Sequence, residues 1–158
     1  MIYGFNTYKT PVISEVGGKA KSLIEMTKAG LNVPEGFVLS VQFFNPWLKE
    51  IKTSKAWEEL LKVTTKIKCD ELKSMASGLR FTQEQKAEID NAWKNMTKHS
   101  LLAVRSSSPE EDLEGTSFAG MYETYLGTTF DKLEENIAKV FASYFDYRVM
   151  VYKKQNGI

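Results

Sequence analysis

The sequence predicts an α+β fold, a mixed α/β arrangement that is rich in helix and carries a small sheet. Two observations predict it: several stretches have apolar residues at helical spacing, and a few short apolar runs have the length of strands. Hydrophobic residues make up 42% of the 158, which is enough for a real core. The sequence shows no internal repeat, low-complexity tract or linker, so residues 1–158 are predicted to form a single domain.

The first part of the chain carries one helix signal, one strand signal and a second helix signal. Residues 19–29 have helical spacing, and Gly30 follows where a glycine commonly ends a helix. Residues 37–39 are short and apolar, as in a strand. Ser40 is placed to cap a further helix, whose start is irregular because of Pro46. That helix holds Phe43, Phe44, Trp47 and Leu48.

A long helical region is predicted from 54 to 98. Breaks are expected near Cys69 and Asp70 and again at Gly78. Thr82 is placed as the residue that caps the next helix, with Gln85 three positions later completing a capping box.

The last part of the chain returns to mixed structure. A strand is predicted over 101–104, followed by a long acidic loop and a second strand over 121–127. Helices are predicted over 131–144 and 146–154, the first because apolar residues recur along one face.

The charge balance excludes several classes of protein. With 21 Lys+Arg against 20 Asp+Glu, the chain lacks the basic excess of a general nucleic-acid or membrane-surface binder. One cysteine and one histidine exclude a disulfide framework and metal sites rich in either residue. No signal peptide is visible, and the uncharged run 36–48 is too short to span a membrane, so a cytoplasmic location is expected.

A glycine pair precedes a lysine where the first helix is predicted to begin. Gly17 and Gly18 allow the backbone to approach a ligand, and a helix N-terminus offers N–H groups and partial positive charge. Lys19 adds a full charge suited to phosphate. The pattern is not a Walker A loop, since the upstream glycine and the hydroxyl after the lysine are lacking. By itself it favours an ordinary loop-to-helix turn with a solvated lysine.

Arg105 stands at the end of a predicted apolar strand, where a polar segment begins. Its planar guanidinium suits phosphate oxygens, and Ser106 and Ser107 can donate hydrogen bonds or satisfy nearby backbone groups. Alternatively, Arg105 pairs with the acids that follow and fixes the loop; the two roles are compatible. From 106 to 131 the chain has acids but no lysine or arginine, so phosphate there would be bound by backbone N–H groups.

The acids of this loop are Glu110, Glu111, Asp112 and Glu114. Their bunching in one short segment favours solvated charge and capping over metal ligation, and no metal site is predicted in the chain. His99 has no second histidine or cysteine near it in the sequence, so it is predicted to be a surface residue.

Six separated motifs keep one order along the chain, and together they resemble a single family. They resemble the N-terminal ATP-binding domain of phosphoenolpyruvate synthase and pyruvate phosphate dikinase, which rifampicin phosphotransferases share. The resemblance covers residues 15–157. The motifs are 17–20 (GGKA), 33–37 (VPEGF), 104–107 (VRSS), 111–113 (EDL), 117–120 (SFAG) and 122–126 (YETYL).

The resemblance implies an ATP-grasp nucleotide site, with this chain as its first lobe. Lys19 and Arg105 match family residues that contact ATP phosphates. The segment 117–124 matches the loop that closes over the phosphates, with Gly120 at closest approach and Met121 and Thr124 among the contacts. Supporting positions are Gly17, Gly18, Ser106, Ser107, Ser117 and Arg148. Arg148 matches a recurrent arginine of the family, whose role is either unassigned or structural, through pairing with the loop acids.

The resemblance also implies what lies outside this chain. Residue 158 falls about where the first subdomain of such domains ends, so the second ATP-grasp subdomain, with its Mg²⁺ ligands, is expected elsewhere, in the same chain or a separate one. The phosphohistidine and substrate domains are likewise expected outside, since His99 does not match the phosphohistidine motif. We therefore expect ATP and these domains as partners, and neither nucleic acid nor membrane.

The implied function is the ATP-phosphate-binding lobe of a phosphotransferase that passes phosphate from ATP to histidine and then to pyruvate. Such a lobe is incomplete alone, and we expect it to be inactive in isolation. The alternatives are the same lobe of a rifampicin phosphotransferase, or a non-catalytic module that docks on a second chain. The acceptor is chosen by domains that this sequence does not contain.

Overall fold

The computed structural model describes residues 1–97, 101–112, 118 and 120–157, and of Asp112 only the backbone. His99, Glu114 and Ser117, which the sequence analysis singled out, lie outside the described residues. In chain order the elements are β1 (Ile2–Gly4), α1 (Ile13–Lys28), β2 (Phe37–Leu39), α2 (Asn45–Lys52), α3 (Lys55–Lys62), α4 (Lys66–Ser77), α5 (Gln83–Lys94), β3 (Leu102–Arg105), β4 (Thr124–Thr128), α6 (Phe130–Ala142) and α7 (Tyr147–Gln155).

Short 3₁₀ helices at Val41–Phe44, Pro109–Asp112 and Ser143–Phe145 join some of these elements. The sheet content is two separate antiparallel pairs, β1 with β2 and β3 with β4. The predicted helix-rich α+β class is therefore confirmed. Among the described residues, no helix has both the length and the apolar character needed to cross a membrane.

The described residues fall into two compact units. The first unit comprises Met1–Asn45, Phe81–Ser100 and Ser107–Ser117. The second unit comprises Pro46–Arg80, Leu101–Ser106 and Phe118–Ile158.

The first unit is built on α1 and the pair β1–β2. Val16, Ala20 and Ile24 form the buried stripe of α1 and pack with Val38 of β2. The spacing of four places Ala20 and Ile24 on one helix face, and Val16 packs in the same cluster from the turn before them, so the burial of apolar side chains fixes the orientation of α1. The predicted phosphate motif lies at the N-terminal end of this buried stripe.

The second unit has a larger helical core around α4 and α6. Trp47 of α2 is 1% exposed, and its indole N–H donates to the carbonyl of Arg80 at 2.8 Å. Its ring meets Phe141 of α6 edge-on, with centroids 5.3 Å apart. Burial of a ring this large, with its one polar group satisfied, stabilises the unit strongly.

The expected break near Cys69 and Asp70 is wrong. Both residues lie inside α4, and the chain breaks earlier, between Lys62 and Lys66. Cys69 is fully buried on the inner face of the helix, while Asp70 pairs with Lys66 one turn away at 2.5 Å. Tertiary burial and a local ion pair thus stabilise the helix at these two residues, although their intrinsic helix propensity is modest.

Of two other local predictions, the capping box at Thr82 is confirmed and the strand predicted from residue 121 begins later. The capping box is confirmed, since Thr82 Oγ1 accepts from the Gln85 N–H at 3.2 Å and the Gln85 side chain accepts from the Thr82 N–H at 2.9 Å. The strand predicted from residue 121 starts later, at Thr124. The Met121 N–H donates to the Phe118 carbonyl at 3.0 Å, and this makes a turn of residues that alternate like a strand.

The β3–β4 pair contains an irregularity that matters for the site. Leu102 pairs with Thr128, but Val104 pairs with Tyr125, so the register shifts by one residue between them. Gly127 has φ 62° in this stretch, the left-handed conformation that glycine adopts at one kind of β-bulge. Beyond the shift, Arg105 lies opposite Thr124.

Candidate functional site

The glycine of the phosphate motif interrupts α1. Gly17 has φ 75° and ψ 164°, so a first turn of helix ends there and the regular helix starts at Gly18. A Cβ at Gly17 would overlap the backbone carbonyl of Ser107. The position therefore needs glycine twice, for its positive φ and for the close approach of another backbone segment.

Ser107 fastens this interruption. Its hydroxyl donates to the carbonyl of Val16 at 2.7 Å, on one side of the kink. The same oxygen accepts from the N–H of Ala20 at 2.8 Å, on the other side. One of the N–H groups at the helix start is thus satisfied by Ser107, and two motifs far apart in sequence meet at this point.

Lys19 forms an ion pair with Glu111, which stands in the 3₁₀ helix Pro109–Asp112. The lysine side chain is 53% exposed, whereas that of Glu111 is 10% exposed. The second carboxylate oxygen of Glu111 accepts from the N–H of Ser108 at 3.2 Å. Lys19 is therefore a lysine that is ion-paired and about half exposed to solvent.

The second unit contains the predicted arginine. Arg105 is the last residue of β3 and is exposed. Its cross-strand partner is Thr124, the first residue of β4, which is also exposed. Facing residues of neighbouring strands lie about 5 Å apart, so two of the predicted phosphate contacts are neighbours.

Gly120 and Met121 lie in the turn that precedes β4. Gly120 has φ 70°, and a Cβ built on it meets no described atom within 4 Å. Phe118 closes the turn from inside: it is 3% exposed and stacks on Tyr122 with centroids 5.7 Å apart. A buried ring thus fixes a turn whose glycine backbone is open to a ligand.

The remaining predicted residues have structural surroundings of their own. Ser106 is half-buried in the second unit. Arg148 is exposed on α7, and its Nε lies 3.3 Å from Asp146, the residue that caps the same helix. The ion pair that the structure gives Arg148 is thus local, unlike the expected pairing with the loop acids.

A charged cluster in the second unit was missed by the sequence analysis. The Lys73 ammonium lies 2.7 Å from Glu123 Oε1 and 3.4 Å from Asp146 Oδ2. The Tyr125 hydroxyl donates to the other oxygen of Glu123 at 2.5 Å. Glu123 and Tyr125 stand in one motif already noted, but Lys73 is 50 residues away from Glu123 and 73 from Asp146, so no sequence signal joined the lysine to them.

This cluster shifts the pKa of each member. Partial burial would raise the pKa of Glu123, but hydrogen bonds from Lys73 and Tyr125 and the lysine charge lower it below its ordinary value. For Asp146, burial is outweighed in the same way by the N–H groups of Arg148 and by Lys73, so its pKa is lowered too. Burial, and then the bond to Glu123, raise the pKa of Tyr125 to about 12.

The structure thus groups the predicted residues in two sets. Gly17, Gly18, Lys19 and Ser107 belong to the first unit, and Arg105, Ser106, Gly120, Met121, Thr124 and Arg148 to the second. Among the described residues, no three histidine, cysteine, aspartate or glutamate side chains are grouped so that they could hold a metal ion. The chemistry available is that of cations and backbone N–H groups, which suits an anion such as phosphate.

Comparison with known proteins agrees with this chemistry. Residues 13–158 match the family described as pyruvate phosphate dikinase, AMP/ATP-binding domain, and the chain belongs to that family. The match begins at the first residue of α1 and takes in both sets of site residues. The class is therefore a nucleotide-binding domain of the pyruvate phosphate dikinase type.

Similar curated proteins include two that are named phosphotransferases and one that is named phosphoenolpyruvate synthase. An uncharacterized phosphotransferase of Bacillus subtilis (strain 168), YvkC, is 37% identical over 88% of this chain and 16% of its own length. Rifampicin phosphotransferase of the same strain is 30% identical over 99% of this chain and 19% of its own length. Phosphoenolpyruvate synthase of Escherichia coli (strain K12) is 30% identical over 99% and 22%. The chain thus spans less than a quarter of the length of these relatives.

Proposed function

We propose that this chain is the ATP-phosphate-binding lobe of a phosphotransferase of the phosphoenolpyruvate synthase type. The observation that carries the proposal is the joint between the glycine–lysine motif and Ser107. Ser107 Oγ bridges Val16 and Ala20 across the kink at Gly17. This joint builds an interrupted helix start with a lysine on it, which is a recurrent way to hold phosphate.

The residues present fit a polyphosphate. Lys19 has three donors on its ammonium, of which Glu111 takes one, and the side chain is half exposed. Arg105 supplies a planar fork and Gly120 an open backbone, both at exposed positions. When bound, ATP supplies the phosphoryl group. The lobe's part is to hold and partly neutralise the phosphate charge, which is most of what catalysis of phosphoryl transfer requires.

Mg²⁺ belongs to this proposal only as a partner of ATP. The loop acids do not form a ligand cluster among the described residues, and Glu111 is committed to Lys19 and Ser108. The protein ligands of Mg²⁺ are expected in the second subdomain. With two charged contacts, and with the adenine-contacting strand expected in the second subdomain, we expect the chain alone to bind ATP with a dissociation constant of roughly 1 mM or weaker.

Two classes of phosphoryl acceptor are candidates. Relatives named phosphoenolpyruvate synthase and rifampicin phosphotransferase are equally similar to this chain, at 30% identity. Pyruvate is our first candidate, through a histidine on another domain, and rifampicin is the second. With either acceptor, the lobe would hold the ATP phosphates in the same way, because we expect other domains to choose the acceptor.

An ATP titration followed by amide NMR shifts tests the proposal. We expect millimolar ATP to shift the signals of Lys19, Arg105 and Gly120, and Lys19→Met to weaken binding. Lys21→Met is the matched control, because Lys21 lies on the same helix in an exposed pair with Glu25. Shifts that avoid all three residues, or equal losses in both variants, would argue against the proposal. Co-expression with the second subdomain then tests ATP-dependent phosphorylation.

A further inference from the structure

The residue that follows the predicted phosphate turn is bound through its side chain to other parts of the second unit. Glu123 follows the turn of Gly120 and Met121 and precedes Thr124. Its N–H donates to the Ser143 hydroxyl at 3.3 Å. Its carboxylate accepts from Lys73 and from Tyr125. The backbone of Glu123 is thus tied to a buried hydroxyl, and its side chain to two partly buried groups of the second unit.

Lys73 is the link between this residue and a second carboxylate. It stands on α4 with its side chain 30% exposed, between Glu123 and Asp146. Asp146 in turn caps α7, accepting from the N–H of Arg148 at 3.0 Å. Two carboxylates share one ammonium, and Asp146 also pairs with Arg148, so removing the lysine would leave Glu123 beside a second carboxylate without its own cation.

Residues 143–146, which join α6 to α7, contact the residues after the turn in three ways. The Ser143 hydroxyl, which is buried, holds the N–H of Glu123. The Tyr144 ring stacks on Tyr122, with centroids 5.2 Å apart and an interplanar angle of 20°. Asp146 reaches the turn through Lys73. Three independent contacts on this segment fix both the position and the direction of the backbone that leaves the turn.

We propose that Lys73, with Glu123 and Asp146, is a positioning residue that holds the backbone of Gly120–Thr124 in the conformation that binds phosphate. The inference rests on the proposed function, because it assigns a purpose to the turn. Lys73 does not touch phosphate in this scheme. It acts through Glu123, and through the pairing of Thr124 with Arg105 that follows directly.

The charges around the network fit this role. Besides Lys73, the groups that face Glu123 are the Tyr125 hydroxyl and Asp146, and Lys139 of α6 lies 5.6 Å from the centre of the Tyr125 ring. Lys139 is itself paired with Glu135 at 2.5 Å. Lys73 is therefore the cation that directly balances Glu123 among the described residues, and its replacement is not compensated by a neighbour.

The test compares Lys73→Met, Lys73→Arg and a control, Lys66→Met, which removes an exposed lysine paired with Asp70 on the same helix. Amide hydrogen exchange at Met121 and Glu123 is measured without ATP, and ATP affinity by NMR titration. We expect Lys73→Met to speed exchange and to weaken ATP binding, each about tenfold. Lys73→Arg should restore most of both, and Lys66→Met should change neither.

Glu123→Gln provides a second variant in case Lys73→Met does not fold. It removes the charge but keeps the shape, and in combination with a Lys73 variant its effect on ATP affinity should be less than additive. Unchanged exchange at Met121 and Glu123 in Lys73→Met would overturn the network as an anchor. Faster exchange with unchanged ATP affinity would overturn its positioning role. If the unmodified chain shows no ATP shifts, the proposed function itself fails, and this inference falls with it.

Discussion

Gly17 lies against the backbone carbonyl of Ser107 so closely that there is no space for a Cβ between them. The contact joins two parts of the first unit that are 90 residues apart, and it sits directly beside Lys19. Gly17 therefore serves the fold and the candidate site at once. Its replacement gives the most direct test of the local geometry.

Gly17→Ala is expected to destabilise the protein by about 2–4 kcal/mol, from positive-φ strain and from overlap with Ser107. Gly30→Ala is the matched control, because Gly30 has the same φ of 75° but no atom within 4 Å of the built Cβ. It should lose only about 1 kcal/mol. Urea unfolding of both variants measures the difference, and equal losses would refute the close contact.

Ser107→Ala removes a hydroxyl that both donates and accepts across the kink. We expect a loss of about 1–3 kcal/mol in the free energy of unfolding, since the Ala20 N–H and the Val16 carbonyl lose a partner in a partly buried place. Ser77→Ala, at a hydroxyl that donates only to the Ser74 carbonyl on the exposed surface of α4, is the comparison. A loss no larger than that of Ser77→Ala would contradict the bridging role.

Glu111→Gln removes the carboxylate that occupies Lys19. Because an arriving phosphate then competes with no fixed negative charge, ATP affinity should rise about two- to fivefold. The small size follows from the half-exposed lysine, whose pair is screened by water. Glu25→Gln, in an exposed pair on the same helix, should leave the affinity unchanged. A clear fall in affinity for Glu111→Gln would mean instead that Glu111 orients the lysine for phosphate.

Acid should weaken the second unit through Glu123 and Asp146. Both have pKa values lowered in the folded state, so their contribution is complete above the ordinary carboxyl pKa. It is lost as the pH falls through the lowered folded values. We expect the urea midpoint to drop between about pH 5 and pH 3, and to drop less in Glu123→Gln. Glu50→Gln, at an exposed position on α2, should retain the full drop.

The sequence predicted the features that depend on hydrogen bonds between residues close together in the chain. The Thr82–Gln85 box was found because both partners lie three residues apart and their hydrogen bonds need nothing else. The helix break at Cys69 was wrong because burial of that side chain against the rest of the second unit overrides its propensity. Burial of this kind depends on distant segments, which a short window of sequence does not contain.

In the candidate site, too, the local motif was predicted from the sequence and the contacts with distant segments were not. The motif carrying Gly17 and Lys19 was predicted, and its helix start is present in the fold. The partners that give these residues their surroundings, Glu111 for Lys19 and Lys73 for Glu123, come from segments 92 and 50 residues away. The sequence contained acids near the arginine motif, but nothing in the spacing said which cation they would meet.

The register shift at Gly127 has a consequence for how the β3–β4 hairpin can vary. Because the bulge absorbs one residue, the pairing of Leu102 and the pairing of Arg105 are set by different stretches of β4. A hairpin without the bulge would carry the Leu102 register to its other end and place Tyr125, not Thr124, opposite Arg105. The glycine thus makes the two ends of the hairpin separately adjustable: one end can be repacked without changing the residue that the arginine faces.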